Sequence, residues 1–159
     1  MDHLDYQILG LLRKNGRETA STISKEIHLS VSAVLDRIKK LEESGVIEQY
    51  TIIIGDKAMG QNVMAHMEVS LEHPKYQEKF IQEICANPNV VSCCCVTGEF
   101  DFALQLTCRD SEELEAVYRR IKEIPGVWNT RTRYVLREVK NTYSALLPQV
   151  KWDIEREEE

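Results

Sequence analysis

Two short segments of this chain gather side chains that could do chemistry. In the first, Ser32 and Ala33 are followed by Asp36, Arg37, Lys39 and Lys40, so small and hydroxyl-bearing residues precede cations. Small residues let a backbone approach base edges, a guanidinium can reach a guanine or a phosphate, and ammonium groups neutralise the nucleic-acid backbone. Asp36 runs against this pattern, because a carboxylate is repelled by phosphate. The second segment is Thr97-Gly98-Glu99-Phe100-Asp101. Glycine frees the backbone to turn and bares amide N–H groups that can hold a carboxylate, while Asp101 can face an ammonium group. That polarity matches a free amino acid. An ordinary turn, bent at Gly98 and capped by Asp101, explains the same residues.

Other chemistry finds little support. No G-x-S-x-G, P-loop or dinucleotide fingerprint occurs, and no nucleophile stands beside a base. His3, His28, His66 and His73 lack metal spacing. The five cysteines, Cys85, Cys93, Cys94, Cys95 and Cys108, contain no C-x-x-C pair and read as reduced, small core residues. On a strand, Cys93 and Cys95 share one face and Cys94 takes the other, so one metal ion cannot hold all three. Catalysis, a metal and a cofactor are therefore not expected. Trp128 and Trp152 read as packing anchors.

The first segment must be held by helices. Leu4, Ile8, Leu11 and Leu12 recur at helical spacing over about residues 2–14, and Asn15-Gly16 ends the run. Thr19 caps a second helix that buries Ala20, Ile23 and Ile27; after a turn at His28-Leu29, Ser30 caps a third. That third helix carries Val31, Val34, Leu35, Ile38 and Leu41 on one stripe and stops at Ser44-Gly45. Three short helices with a tight second turn make a helix-turn-helix. Val46-Ile47 and Tyr50–Ile54, β-branched apart from the aromatic Tyr50, predict a strand-like linker, either a connector or a strand for a second subunit to pair with.

The second segment belongs to a different kind of unit. Residues 62–71 alternate as a strand, 75–86 are helical around Tyr76, Phe80, Ile81, Ile84 and Cys85, and strands from Val90 to Thr97 and Phe102 to Cys108 flank the Gly98 turn. A helix over 111–123 and a strand from Val127 to Leu136 follow. Ile84, Pro88 and Val90 recur as Ile121, Pro125 and Val127 at one offset of 37 residues. Two related halves joined by a hairpin predict a ferredoxin-like βαββαβ sheet with helices on one face. The other face, carrying alternating apolar residues, would then need a second copy, so a homodimer is expected.

Residues 1–48 are thus a helix-turn-helix, 49–61 the linker, 62–140 the ferredoxin-like unit, and 141–159 a C-terminal extension whose acidic end, from Trp152 to Glu159, reads as solvated. The fold class is α+β. With 159 residues, 43% hydrophobic and 29% charged, the chain is long enough for two small packed units. No apolar run approaches the roughly 20 residues of a membrane span, and the N-terminus lacks the cationic-then-apolar order of a signal peptide, so the cytoplasm is the expected address. The net charge of −6 argues against coating nucleic acid through bulk positive charge. It is unevenly spread, however: between Arg13 and Lys40 seven cations face three anions, a local +4.

These motifs together resemble the Lrp/AsnC, or feast/famine, transcriptional regulators over about residues 2–140. The N-terminal likeness rests on Leu4-Asp5-x-x-Ile8-Leu9, on Gly16-Arg17-x-Thr19, and on the run from Leu29-Ser30 through Arg37-Ile38 and Leu41-Glu42 to Gly45-Val46-Ile47. The C-terminal likeness rests on Val96-Thr97-Gly98-x-x-Asp101, Gly126-Val127-x-x-Thr130-x-Thr132 and Val135-Leu136. The chain departs from the family pattern with His28 where glycine is usual in the turn, and with Asp36. The resemblance implies a winged-helix-like DNA-binding unit whose third helix is the recognition helix, with Arg17, Lys25, Ser30, Ser32, Ala33, Arg37, Lys39 and Lys40 as the DNA-binding set. It also implies an amino-acid effector held between subunits by Thr97, Gly98, Glu99, Phe100 and Asp101 with Thr130 and Thr132, in dimers that assemble to octamers. A siroheme decarboxylase, which shares the architecture, and an architectural DNA-wrapping protein are the alternatives.

Overall fold

A computed structural model describes residues 1–145. It divides into two compact units, one formed by Met1–Ile53 with residues 140–145, the other by Ile54–Val139. The expected end at Trp152–Glu159 lies outside the described residues. Before that point the extension is tied to the first unit, since Arg13 Nη1 donates to the Ser144 carbonyl at 3.4 Å.

In the first unit each helix begins on a side chain that accepts an otherwise unpaired backbone N–H. Helix α1 (His3–Lys14) opens on a reciprocal pair, the Asp2 carboxylate accepting from the Asp5 N–H and the Asp5 carboxylate from the Asp2 N–H. Thr19 Oγ1 accepts from the Thr22 N–H ahead of α2 (Ala20–Glu26), and Ser30 Oγ from the Ala33 N–H ahead of α3 (Val31–Glu43). Between them His28 stands at φ 55°, doing the left-handed bend that glycine commonly does. Ile8, Ile23, Ile27, Val34 and Leu41 are the buried core.

Val31 and Leu35 leave the expected apolar stripe and remain 42% and 53% exposed. The linker also differs from expectation. Residues 50–55 form no strand, and Ile52, Ile53 and Ile54 stand exposed: among the described residues they pair with neither edge of the sheet, and β-branched propensity alone does not make a strand. A single 3-10 turn, Asp56–Met59, follows.

The second unit has the order strand, helix, strand, strand, helix, strand: β1 (Val63–Leu71), α4 (Gln77–Cys85), β2 (Val90–Cys95), β3 (Phe102–Cys108), α5 (Ser111–Lys122) and β4 (Val127–Tyr134). The sheet runs β2-β3-β1-β4, antiparallel throughout. Val63, Ala65, Met67 and Val69 of β1 and Phe102, Leu104, Leu106 and Cys108 of β3 point to the same side. Phe80, Ile84, Val117 and Ile121 of the two helices meet them there, with the Phe80 and Phe102 rings 4.7 Å apart. The 37-residue repeat is realised in hydrogen bonds. Ala86 N–H donates to Gln82 O, Asn87 to Ile84 and Val90 to Asn87; Glu123 to Arg119, Ile124 to Ile121 and Val127 to Ile124 repeat all three.

The opposite sheet face is not apolar. Its residues include His66, Glu68, Ser92, Gln105, Thr107, Arg131 and Arg133, and Glu68 pairs with Arg133 at 2.7 Å. The alternation that protects the core leaves only Met64 and the facing pair Cys94 and Ala103 among polar neighbours there, so the argument from a continuous apolar face fails. The cysteines need a similar correction. Cys93 and Cys95 do share the helix-side face, opposite Leu104 and Phe102, but β2 is an edge strand reaching past the helix cover, and Cys85, Cys93, Cys94 and Cys95 are exposed; only Cys108 is core. Trp128 is 74% exposed and anchors no packing.

Candidate nucleic-acid interface and effector loop

α3 presents the first candidate site. Ser32, Asp36, Lys39 and Lys40 are exposed and Ala33 is half-buried. Lys39 lies 3.7 Å from Glu43, a solvated pair that leaves its ammonium available. Arg17 and Lys25 are exposed, and among the described residues neither they nor Lys40 are held in an ion pair. Ser30 is occupied in capping and is 3.1 Å from Ser32 Oγ.

Arg37 is placed differently from the base reader expected. Its Nη1 donates to Asp5 at 2.7 Å and to Asp2 at 2.8 Å, clamping α3 to the start of α1. The Asp5 N–H and then the Arg37 guanidinium hold the Asp2 carboxyl below its ordinary range, and Asp5 and Asp2 in turn raise Arg37. A guanidinium shared by two carboxylates sets the pose of the helix. Reading a base would require giving up one or both partners.

The loop after β2 is the second candidate. Gly98 takes φ 121°, and a side chain there would meet nothing within 4 Å. Thr97 is exposed beside it, whereas Phe100 is 5% exposed. Asp101 Oδ2 accepts from the Leu71 N–H at 2.7 Å, the Asp101 N–H donates to Val69 O, and Ser70 Oγ donates to Glu99 O at 3.1 Å. Gly98 thus bends the turn as the turn reading requires, but the Asp101 carboxylate, instead of capping that turn, commits one oxygen to the end of β1. A pocket of about 240 Å³ opens beside it, lined by Asp101 with Leu71, Pro74, Gln77, Cys95 and Val96.

The remaining members of the expected effector set do not converge. Thr130 and Thr132 lie opposite Val69 and Met67 and so project to the helix side, where the Thr130 hydroxyl and Lys122 lower the Tyr118 phenol. Glu99 instead reaches Arg131 on the polar face at 3.1 Å, and the Arg131 guanidinium stacks 4.7 Å from the Phe100 ring centroid. Arg131 was missing from the expected set, because its neighbours Glu99 and Glu68 are fixed only by long-range strand register. Among the described residues no cluster of three His, Cys, Asp or Glu side chains could hold a metal ion, and no helix is long and apolar enough to cross a membrane.

A helix-turn-helix with a cationic outer face, joined to a ferredoxin-like unit, defines a DNA-binding transcriptional regulator. Comparison with known proteins agrees: residues 1–48 match a winged helix-turn-helix DNA-binding domain and residues 62–145 the Lrp/AsnC ligand-binding domain. The chain belongs to the Lrp/AsnC family. It is 34% identical over 142 residues to the HTH-type transcriptional regulator FL11 of Pyrococcus horikoshii, covering 89% of this chain and 93% of that one. It is 32% identical over 145 residues to the leucine-responsive regulatory protein of Haemophilus influenzae, covering 89% and 87%. Among solved structures, a transcriptional regulator of Neisseria meningitidis in complex with L-methionine superposes with a TM-score of 0.89 at 31% identity, covering 94% of this chain and 99% of that one. These relatives are transcriptional regulators of the Lrp/AsnC family, not enzymes, and give the siroheme decarboxylase alternative no support.

Proposed function

We propose that the protein is a cytoplasmic, sequence-selective regulator whose DNA binding responds to a free amino acid held at the Thr97–Asp101 loop, in an assembly of dimers that reaches the octamer. The observation that carries the effector reading is the loop itself. Exposed Thr97 and the unobstructed backbone of Gly98 offer polar groups to a carboxylate, and Asp101 keeps one oxygen for an ammonium group next to the pocket. The methionine complex of the Neisseria relative supports the chemistry, as does a feast or famine regulatory protein of M. tuberculosis complexed with L-methionine, at TM-score 0.84 and 27% identity. Methionine is the first amino acid to try. At about 240 Å³ the pocket is below the usual range of ligand sites, roughly 300–1,000 Å³, which fits a site completed by a second subunit. Exposed Ile52, Ile53, Ile54, Trp128 and Tyr134 supply apolar surface for that assembly.

A gel-shift titration on fragments of the protein's own promoter region, with and without each amino acid, tests the reading. A selective shift that changes midpoint with one amino acid is the expected result. Binding that ignores sequence and falls steeply with salt would favour the architectural DNA-wrapping alternative, and a selective shift indifferent to all twenty would remove the amino-acid effector.

A further inference from the structure

Helix α3 sends Val34 and Leu41 into the core and packs Ile38 against them, yet leaves Val31 and Leu35 42% and 53% exposed. Leucine is a good helix former but so are arginine, lysine and glutamine, which would keep the surface polar, and valine is a poor one, so helix propensity does not require an apolar pair here. Four residues apart, they form a continuous apolar strip along the N-terminal half of the helix. Their exposed neighbours are Ser32, Asp36 and Lys39, and the cations Lys39 and Lys40 lie at the far end. A recognition helix places its N-terminal residues over base edges, which leaves those cations to approach phosphate. The apolar group that a base edge offers in the major groove is the C5 methyl of thymine. Set against cytosine or guanine, the same leucine would strip water from donors and acceptors without replacing it, at a cost.

We infer that Leu35, flanked by Val31, reads thymine methyl groups and is a specificity-determining residue of this protein; the inference rests on the DNA-binding regulator reading above. The exposed ammonium groups of Lys39 and Lys40 on the same helix complement phosphate and commit the face to DNA despite Asp36, and a strip of two aliphatic side chains is by itself far smaller than a stable protein interface.

The test uses the full-length protein. A binding site is selected from a random duplex library, and each thymine in it is then replaced by deoxyuridine, which removes one methyl group and leaves the hydrogen-bonding edge intact. Affinities are measured by fluorescence anisotropy at fixed salt. At least one replacement is expected to weaken binding about fourfold, the value of one buried methyl. Leu35→Ala or Val31→Ala should bind that thymine duplex and its uracil counterpart alike, with unchanged affinity for random DNA. Neutral replacement at every thymine overturns the inference. So does a Leu35→Ala protein that loses the same factor on both duplexes, since that loss is positional. Failure to enrich any sequence would overturn the regulator reading along with it.

Discussion

Substituting Gly126 should be among the most damaging single changes in the second unit. The residue stands at φ 91°, and a Cβ added to it would lie 2.5 Å from Tyr76 Cβ and closer still to Cγ and Cδ2 of the same ring. Two costs therefore combine in Gly126→Ala. A non-glycine residue in the left-handed region costs about 1–2 kcal/mol. Displacing the half-buried Tyr76 ring from against the Gly126 backbone adds about 1–3 kcal/mol of overpacking. Urea unfolding followed by tryptophan fluorescence should show a loss of about 2–5 kcal/mol. The two costs separate in a Tyr76→Ala background, where only the backbone share should persist. Wild-type stability in Gly126→Ala, or an unchanged cost once Tyr76 is removed, would refute the reasoning. Because Tyr76 lies between Pro74 and Gln77, which line the pocket, any effector affinity should fall in the same variant.

Two further outcomes follow from the first unit. Arg37→Ala should lower both the melting temperature and DNA affinity, and Asp5→Ala should lower both as well, although it removes a negative charge; stronger DNA binding by Asp5→Ala would mean that the clamp does not position α3. Tyr50 donates to Glu42 at 3.0 Å, and burial with that carboxylate pushes its phenol from 10.0 up to about 12. The folded state therefore keeps this proton longer than the unfolded chain. Its contribution is present below pH 10 and lost as pH rises towards 12. A spectrophotometric titration should find one late-ionising tyrosine that moves down in Glu42→Gln yet stays above the ordinary range, because burial is the larger cause and Glu42 the smaller.

Local chemistry was legible in the sequence wherever local chemistry decides. Thr19 and Ser30 cap helices because the acceptor and the unpaired N–H lie three residues apart, and His28 takes a bend for which few non-glycine residues are suited. The repeat at 37 residues announced the duplicated turn. What propensity could not supply was a partner. The isoleucines at 52–54 have strand propensity but pair with no strand among the described residues, and the cysteine run has strand character without the cover that only a central position provides. Arg37 misled for a related reason: its spacing puts it on the outer part of α3, but only the packing of α1 reveals two carboxylates within reach.

The strand order has a consequence for how the second unit comes into being. β1 and β2 belong to one half of the repeat and β3 and β4 to the other, yet β2 pairs with β3 and β1 with β4. Neither half can close a ladder of its own. Only the β2–β3 hairpin is local; the β1–β4 ladder joins residues as distant as Ala65 and Tyr134. That pairing carries a large loop-closure entropy, so folding should be governed by long-range encounter rather than by either half nucleating alone. During synthesis the sheet stays incomplete until its last strand has left the ribosome.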